Sequence, residues 1–366
     1  MVSIIDDLNI QRILIIKWSA LGDIAMATCI IEDIALAFPQ ARIDLNTMPP
    51  WDKLFIDDAR FTNLLAINIR DKQHPWRVVG QWLRAVRQGH YDLIVDLQSN
   101  DRSRLMLAWL QLTGNRTRYL IGNHPGWPYQ YSGPLHNAAP NPVERMRAGL
   151  RAAGIPVRTP RPVFQIAEHH HLRVRALQQQ YGLQSGRYAL FYPGCQAAGY
   201  LKRWGEDNYA ALARRLLDEG RVDKVVLIGS TDEMQDCQHI AALAGTGVVN
   251  LCGETDVLDI IPLAQQAALQ IGNDTGTAHL AAASAAPMVV VCGPTDAYKV
   301  APQGDNVVTI QAQMSCMNCY CKQPCAHHSC MKAIQPEHVM RALGGQQGNV
   351  VILTAHRGVQ GTFPAG

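Results

Sequence analysis

No run of about eighteen apolar residues occurs in this 366-residue chain, so the sequence predicts no membrane-spanning helix. Charge of one sign is also lacking. Thirty-three Lys and Arg stand against 30 Asp and Glu, a formal net charge of +3. That gives no case for nucleic acid as a main partner, although local basic clusters can still meet phosphates. The opening MVSIIDDLNI has no basic region ahead of an apolar core, which argues against a secretory signal and makes the cytosol the expected compartment. Two nucleotide motifs are missing as well. Without GxxxxGK[ST] a P-loop nucleotidase is disfavoured, and without GxGxxG after the first apolar run so is a standard dinucleotide-binding fold. No short-period repeat is visible.

What is present is ample core material. Hydrophobic residues make up 48% and charged ones 17%, and the length suggests two domains of ordinary size. Residues 12–18 (RILIIKW) form a β-rich apolar run, 19–23 a turn, and 24–38 carry apolar residues at helical spacing. That order recurs. Further strands are expected at 42–47, 64–69, 92–97 and 119–122, and helices at 75–88, 102–112 and 143–153. Residues 123–142, with five prolines, read as a long ordered loop. After a polar helix at 169–181 the pattern restarts with strands at 188–192, 224–228, 248–252 and 288–292. Helices are expected there at 206–219, 232–244 and 256–266. Alternating strands and helices predict parallel sheets covered on both faces.

The richest stretch is IGNDTGTAHL, residues 271–280. An apolar run ends in Gly272-Asn273-Asp274-Thr275-Gly276, and a small-residue helix over 277–286 follows. A strand, a tight turn and a helix N-terminus leave backbone N–H groups aimed at one spot, where an anion is favoured. Asp274 would repel a phosphate, so hydroxyls are its natural partners; a plain helix cap is the alternative. A second candidate is Lys17-Trp18-Ser19-Ala20-Leu21-Gly22-Asp23, at the carboxyl end of the first strand. There Asp23 is either a cap or a general base that takes a proton from an attacking hydroxyl. Lys202 and Arg203 follow a Gly-containing loop and are either solvated or placed to neutralise a leaving diphosphate. Glu233 closes a strand-to-helix turn, as a cap or as a partner for a ribose hydroxyl.

Ten cysteines are present. Cys29, Cys195, Cys237, Cys252 and Cys292 are scattered and read as reduced, mostly buried side chains. Five crowd into Cys316-x2-Cys319-x-Cys321-x3-Cys325-x4-Cys330. Cys316, Cys319, Cys325 and Cys330 are a candidate set for structural zinc or iron, with reduced packing cysteines as the alternative.

Taken together the motifs resemble glycosyltransferase family 9, the bacterial lipopolysaccharide heptosyltransferases. The residues that carry the resemblance are ILIIKWSALGDIAMAT (13–28), YDLIVDLQ (91–98), FYPGC (191–195), LKRWGEDNYAALARRL (201–216), VVLIGSTDE (225–233), NLCGETD (250–256), IGNDTGTAHLAAA (271–283), VVCGPTD (290–296) and CMKAIQPEHVMRAL (330–343). The resemblance implies an α/β, GT-B fold: two facing Rossmann-like domains with parallel sheets and an interdomain cleft. It places an acceptor-binding domain at 1–167, a connection at 168–184, a nucleotide-sugar domain at 185–334, and a helix in 335–366 that returns toward the first domain.

The resemblance also implies an inverting transferase that needs no metal for chemistry. It would move a heptose from ADP-heptose to the inner core attached to lipid A. By position, Asp23 matches the base and Lys202 the lysine on the donor diphosphate. Asp274 matches the aspartate that holds donor-sugar hydroxyls. Thr275, Gly276 and Thr277 fall in the diphosphate turn, His279 just after it, and Glu233 at the ribose-binding acid. One departure is Ala197-Ala198, where some members carry adjacent threonines that offer hydroxyls to the phosphates. An anionic, lipid-linked saccharide acceptor implies contact with the cytoplasmic face of the inner membrane, for which Trp51, Phe55, Trp127 and Tyr129 are candidates. Arg60, Arg70, Arg102, Arg104, Arg116 and Arg118 are candidates for its phosphates and carboxylates. A sugar-nucleotide epimerase of the same build, or a member that heptosylates a protein, is the alternative.

Overall fold

In the computed structural model the chain divides into two units, Met1–Gln165 and Ile166–Gly366. The structure describes residues 3–353 except 8, 99, 116, 134–140, 196, 321–324 and 345–349. Arg116, Cys321, part of the proline-rich loop and most of the tail after Gly344 lie outside the described residues. The division falls two residues before the expected one, and the expected connection is mainly a helix, Glu168–Tyr181, of the second unit.

The first unit holds a parallel sheet of β1 (Arg12–Ile16), β2 (Arg42–Thr47), β3 (Phe61–Ala66), β4 (Leu93–Asp96), β5 (Tyr119–Gly122) and β6 (Tyr131–Ser132), in the order β3-β2-β1-β4-β5-β6. The order reverses between β1 and β4, and that is where an open α/β sheet leaves a crevice at its carboxyl edge. Strands covered on both faces are apolar throughout, and every side chain of β4 is buried. Leu14, Ile16 and Ile94 pack with Trp82 and Val86 of the Pro75–Gly89 helix. Inside this core the indole N–H groups of Trp18 and Trp82 both donate to Asn46 Oδ1, each at 2.7 Å. One polar side chain thus satisfies two buried donors.

The second unit holds β7 (Tyr188–Tyr192), β8 (Lys224–Leu227), β9 (Val248–Asn250), β10 (Leu269–Asn273), β11 (Met288–Cys292), β12 (Val307–Ala312) and β13 (Val350–Leu353), in the order β13-β12-β11-β10-β7-β8-β9. Here the order reverses between β7 and β10. Phe191, Leu227, Ile271 and Val291 build the core with Tyr209, Leu212 and Ile240. In the terminal region the Pro336–Leu343 helix packs against β11 and β12, with Val339 and Met340 buried in this core.

Candidate functional site

The sites are assembled at the two reversal points. In the second unit, β7 runs into the Pro193–Lys202 loop and β10 into Asn273-Asp274-Thr275. Lys202 Nζ donates to Asp274 Oδ2 at 2.8 Å and to the Asp274 carbonyl at 3.3 Å. Thr295, after β11, donates its hydroxyl to the same Oδ2 at 2.8 Å, and His279 Nε2 lies 3.7 Å from Oδ1. Burial raises the Asp274 pKa, but His279 and Lys202 outweigh it and hold the carboxyl down at about 2. Burial likewise opposes the charge on Lys202, and Asp274 outweighs it and raises the ammonium pKa. The pair is therefore ionised at neutral pH. Its members are unequally covered: the Lys202 side chain is 27% exposed and that of Asp274 5%. Lys202 is the group left facing solvent.

Neighbouring residues fix this pair. Asn273 donates from Nδ2 to the Pro193 carbonyl at 2.7 Å and accepts on Oδ1 from the Trp204 N–H at 3.2 Å, so β10 ties down both ends of the Lys202 loop. Thr275 is the N-cap of the Gly276–Ala281 helix, its hydroxyl 3.5 Å from the Ala278 N–H. That helix is shorter than the expected 277–286. Thr275, Gly276 and Thr277 are partly exposed, whereas His279 is buried. Glu233 fulfils the capping alternative: Oε2 accepts from Ser230 N at 2.7 Å and Ser230 Oγ at 3.0 Å. Its other oxygen fills the space above Gly194, where a Cβ would stand 1.9 Å from Oε1. Glu233, Lys202 and Asp274 all act electrostatically on the Cys195 thiol, which places them around one locus.

In the first unit, Asp23 is in the first turn of the Leu21–Ala37 helix, which starts three residues earlier than expected. It is exposed, and Oδ2 accepts the Ala20 N–H at 3.2 Å. Oδ1 has no hydrogen-bond partner among the described residues. The capping alternative therefore occupies one oxygen of the carboxylate. Lys17, at the end of β1, is buried and donates to the Leu97 carbonyl at 3.3 Å. Burial lowers its pKa, against which Asp23 and Asp96 act. Asp96 was not singled out by the sequence reading. It ends β4 wholly buried, accepting from Tyr129 Oη at 2.6 Å and Ser103 Oγ at 2.7 Å. The sequence shows only an acid that closes an apolar run; that β4 lies at the reversal point is a matter of strand order.

The arginines of this unit sort by partner. Arg60 is paired with Asp58 and Glu32, and Arg118 with Asp7. Arg70 donates to Ser19 Oγ, Arg102 to the Ile69 carbonyl and Arg104 to the Trp127 carbonyl, all neutral oxygens. Arg145 has no hydrogen-bond partner among the described residues, its Nε is buried, and burial lowers its pKa. Of the aromatics expected at a membrane, Phe55 and Tyr129 are buried. Phe55 meets Phe61 edge to face and stacks on Phe164, and Tyr129 is spent on Asp96. Trp127 remains exposed.

Among the described residues, Cys316, Cys319, Cys325 and Cys330 do not meet as a compact group of ligand atoms. Cys316 and Cys319 are exposed, Cys325 is partly buried, and Cys330 is buried in the second core. Burial pushes the Cys330 thiol up to about 11, the nearby cysteines adding to it. Among the described residues, the group with three ligand atoms within 4.8 Å of one another is His170, Asp256 and Asp259. There Arg173 bonds to Asp256 and lies 3.5 Å from Asp259, so a cation is already in place. A cavity of about 210 Å³ shares Pro193 and Arg203 with the β7 loop but includes none of Lys202, Glu233 and Asp274. Of its charged walls, Arg203 pairs with Asp236 and Glu206 with His239.

Comparison with known proteins adds to this geometry. Residues 79–329 match the family described as Glycosyltransferase family 9 (heptosyltransferase). The chain is similar to lipopolysaccharide heptosyltransferase 2 of Escherichia coli (strain K12), 29% identical over 287 residues that cover 73% of this chain and 78% of that one. Among solved structures it is similar to E. coli ADP-heptose LPS heptosyltransferase II, with a TM-score of 0.67, 24% identity, and 91% and 98% of the two chains covered. It is also similar to the glycosyl transferase family 9 protein of Veillonella parvula, with a TM-score of 0.76, 17% identity, and 92% and 97% covered. The fold they share is two parallel-sheet, Rossmann-like α/β units, the GT-B class.

Proposed function

The chain belongs to glycosyltransferase family 9 and is a sugar-transferring enzyme, and from that premise we propose that it moves a heptose from ADP-heptose to the inner core of lipopolysaccharide with inversion. The observation that carries the reading is the ionised Lys202–Asp274 pair at the β7–β10 reversal, beside the partly exposed Thr275–Thr277 turn.

The acceptor hydroxyl attacks the anomeric carbon as Asp23 Oδ1 takes its proton. The bond from that carbon to the β-phosphate oxygen breaks, and ADP leaves with the electron pair. Negative charge grows on the phosphate. The Lys202 ammonium and the N–H groups of Gly276 and Thr277 are the donors placed to stabilise it. Asp274 has Oδ2 occupied by Lys202 and Thr295, so its part is to hold Lys202 in place and to offer Oδ1 to a sugar hydroxyl. Glu233, anchored through Oε2, has Oε1 for the ribose. Arg145, Arg70 and Arg102 carry no acidic partner among the described residues, which suits them to the acceptor's phosphates and carboxylates. No metal is given a part in this scheme.

A donor screen read by mass spectrometry tests the reading. ADP-heptose, UDP-sugars and GDP-sugars are offered with deacylated core acceptors, intact or stripped of phosphate. The expected result is a heptose-sized mass gain from ADP-heptose alone, slower on the stripped acceptor. Transfer from a UDP- or GDP-sugar in preference, or C2 epimerisation of the donor with no acceptor consumed, overturns it.

A further inference from the structure

We propose that the outward face of the Asp101–Leu112 helix, with the neighbouring Pro75–Gly89 helix, is the surface on which this protein rests against an anionic lipid leaflet. A helix that packs on a sheet is normally apolar on one side and polar on the other. The Asp101–Leu112 helix is apolar on both. Met106, Leu107 and Leu110 are buried in the first core. Leu105, Trp109 and Leu112 follow the spacing i, i+4, i+7, which puts them on one stripe, and they are 69%, 60% and 76% exposed. Single exposed apolar side chains need no explanation, but a contiguous stripe of large ones marks an interaction site.

The two helices lie side by side and run in the same direction. At one end Arg102 donates to the carbonyl of Ile69, in the segment leading into the Pro75–Gly89 helix; at the other, Arg87 bonds to Thr113. Trp76, in the first turn of the Pro75–Gly89 helix, is 84% exposed. Together the helices carry five arginines and one acid, Asp101. Arg77 and Arg84 are exposed on the Pro75–Gly89 helix.

An exposed apolar stripe on one helix, with exposed arginines and a tryptophan on the helix alongside, has the composition of an interfacial surface. Side chains partition into the headgroup region while arginines meet anionic lipid. The same charge argues against a second copy as the occupant, because two faces that carry exposed arginines repel. The proposal deepens the reading above, since a lipid-linked acceptor is met at a membrane. Lipid binding is measured without donor or acceptor, so the two can fail separately.

The test is flotation of the full chain with vesicles of phosphatidylglycerol and phosphatidylethanolamine, or of phosphatidylcholine alone. Wild type is expected to float with the anionic vesicles and not with phosphatidylcholine. Trp109→Ser with Leu105→Ser is expected to cut binding roughly tenfold or more, and Arg77→Gln with Arg84→Gln to weaken it and flatten its salt dependence. Trp109→Phe is expected to retain binding, which separates loss of the surface from loss of the fold. Transfer to a water-soluble acceptor is expected to be unchanged in all of these. Absence of binding to anionic vesicles, equal binding by the serine variant, or self-association that the serine variant abolishes overturns the proposal.

Discussion

Asp274 gathers Lys202, Thr295 and His279 on one carboxylate, and the sign of its shift sets a pH window. Its pKa in the folded protein is about 2, below the ordinary 3.8. A depressed carboxyl binds its proton less readily in the folded state, so its contribution to stability is complete above about pH 4 and is lost as pH falls toward 2. The difference corresponds to about 2 kcal/mol. Denaturant unfolding between pH 5 and 2 is expected to show that loss in wild type and a shallower slope in Asp274→Asn. Lys202 has a different task. If it stabilises the departing diphosphate, Lys202→Ala lowers the transfer rate by about a hundredfold or more, roughly 3 kcal/mol. Steady-state rates at saturating donor check this, and a change confined to KM would assign Lys202 to ground-state binding. None of these pairings was legible beforehand. Lys202 and Asp274 are 72 positions apart, and nothing in either local sequence specifies that their loops meet. Thr295 was in view inside VVCGPTD without a role, because its role depends on β11 lying beside β10.

Loops and strands show how the sites are built from backbone. Gly194 leaves space that Glu233 fills, and Gly229 does the same beside Cys252 Sγ, 2.8 Å from a hypothetical Cβ. The obstruction at Gly194 is the far end of a flexible side chain, so Gly194→Ala is expected to displace Glu233 and break its bonds to Ser230. Calorimetric titration with ADP should then show weaker binding at a nearly unchanged melting temperature. In the first unit, Asn46→Leu would strand two buried indole N–H groups. A cost of about 2 kcal/mol or more is expected in urea unfolding. The strands with long apolar runs, β1, β7, β10 and β11, were readable from pattern alone, as were the turns that follow them. β6 has two residues, too short for a periodic signal, and β9 has three where five were expected at 248–252. β13 follows a Gly- and Gln-rich stretch and exists through pairing with β12, a tertiary cause that a local reading misses. The helix expected at 24–38 starts at Leu21, and that shift moves Asp23 from the turn into the first helical turn.

Over the whole molecule, sequence pattern identified two parallel α/β halves and assigned Asp23 to one and Lys202 with Asp274 to the other. It did not yield strand order, and strand order is what singles out these residues. Each follows a strand at the place where its sheet reverses direction, where side chains from two neighbouring carboxyl ends converge. Asp96 and Lys17 belong to the first of those places and went unassigned because their neighbours were unknown. In the cysteine-rich segment spacing left two alternatives, a metal set or reduced packing cysteines, and the fold adds that Cys330 is buried in the second core while Cys316 and Cys319 are exposed.

The division of labour between the halves is tested most directly by ADP release from ADP-heptose in the Asp23→Asn variant, with and without a deacylated core acceptor. Wild type should release ADP only when acceptor is present. The variant should release about a thousandfold less, a loss in the range of removing a general base, while binding ADP as wild type does. Turnover at the wild-type rate in Asp23→Asn would contradict the account.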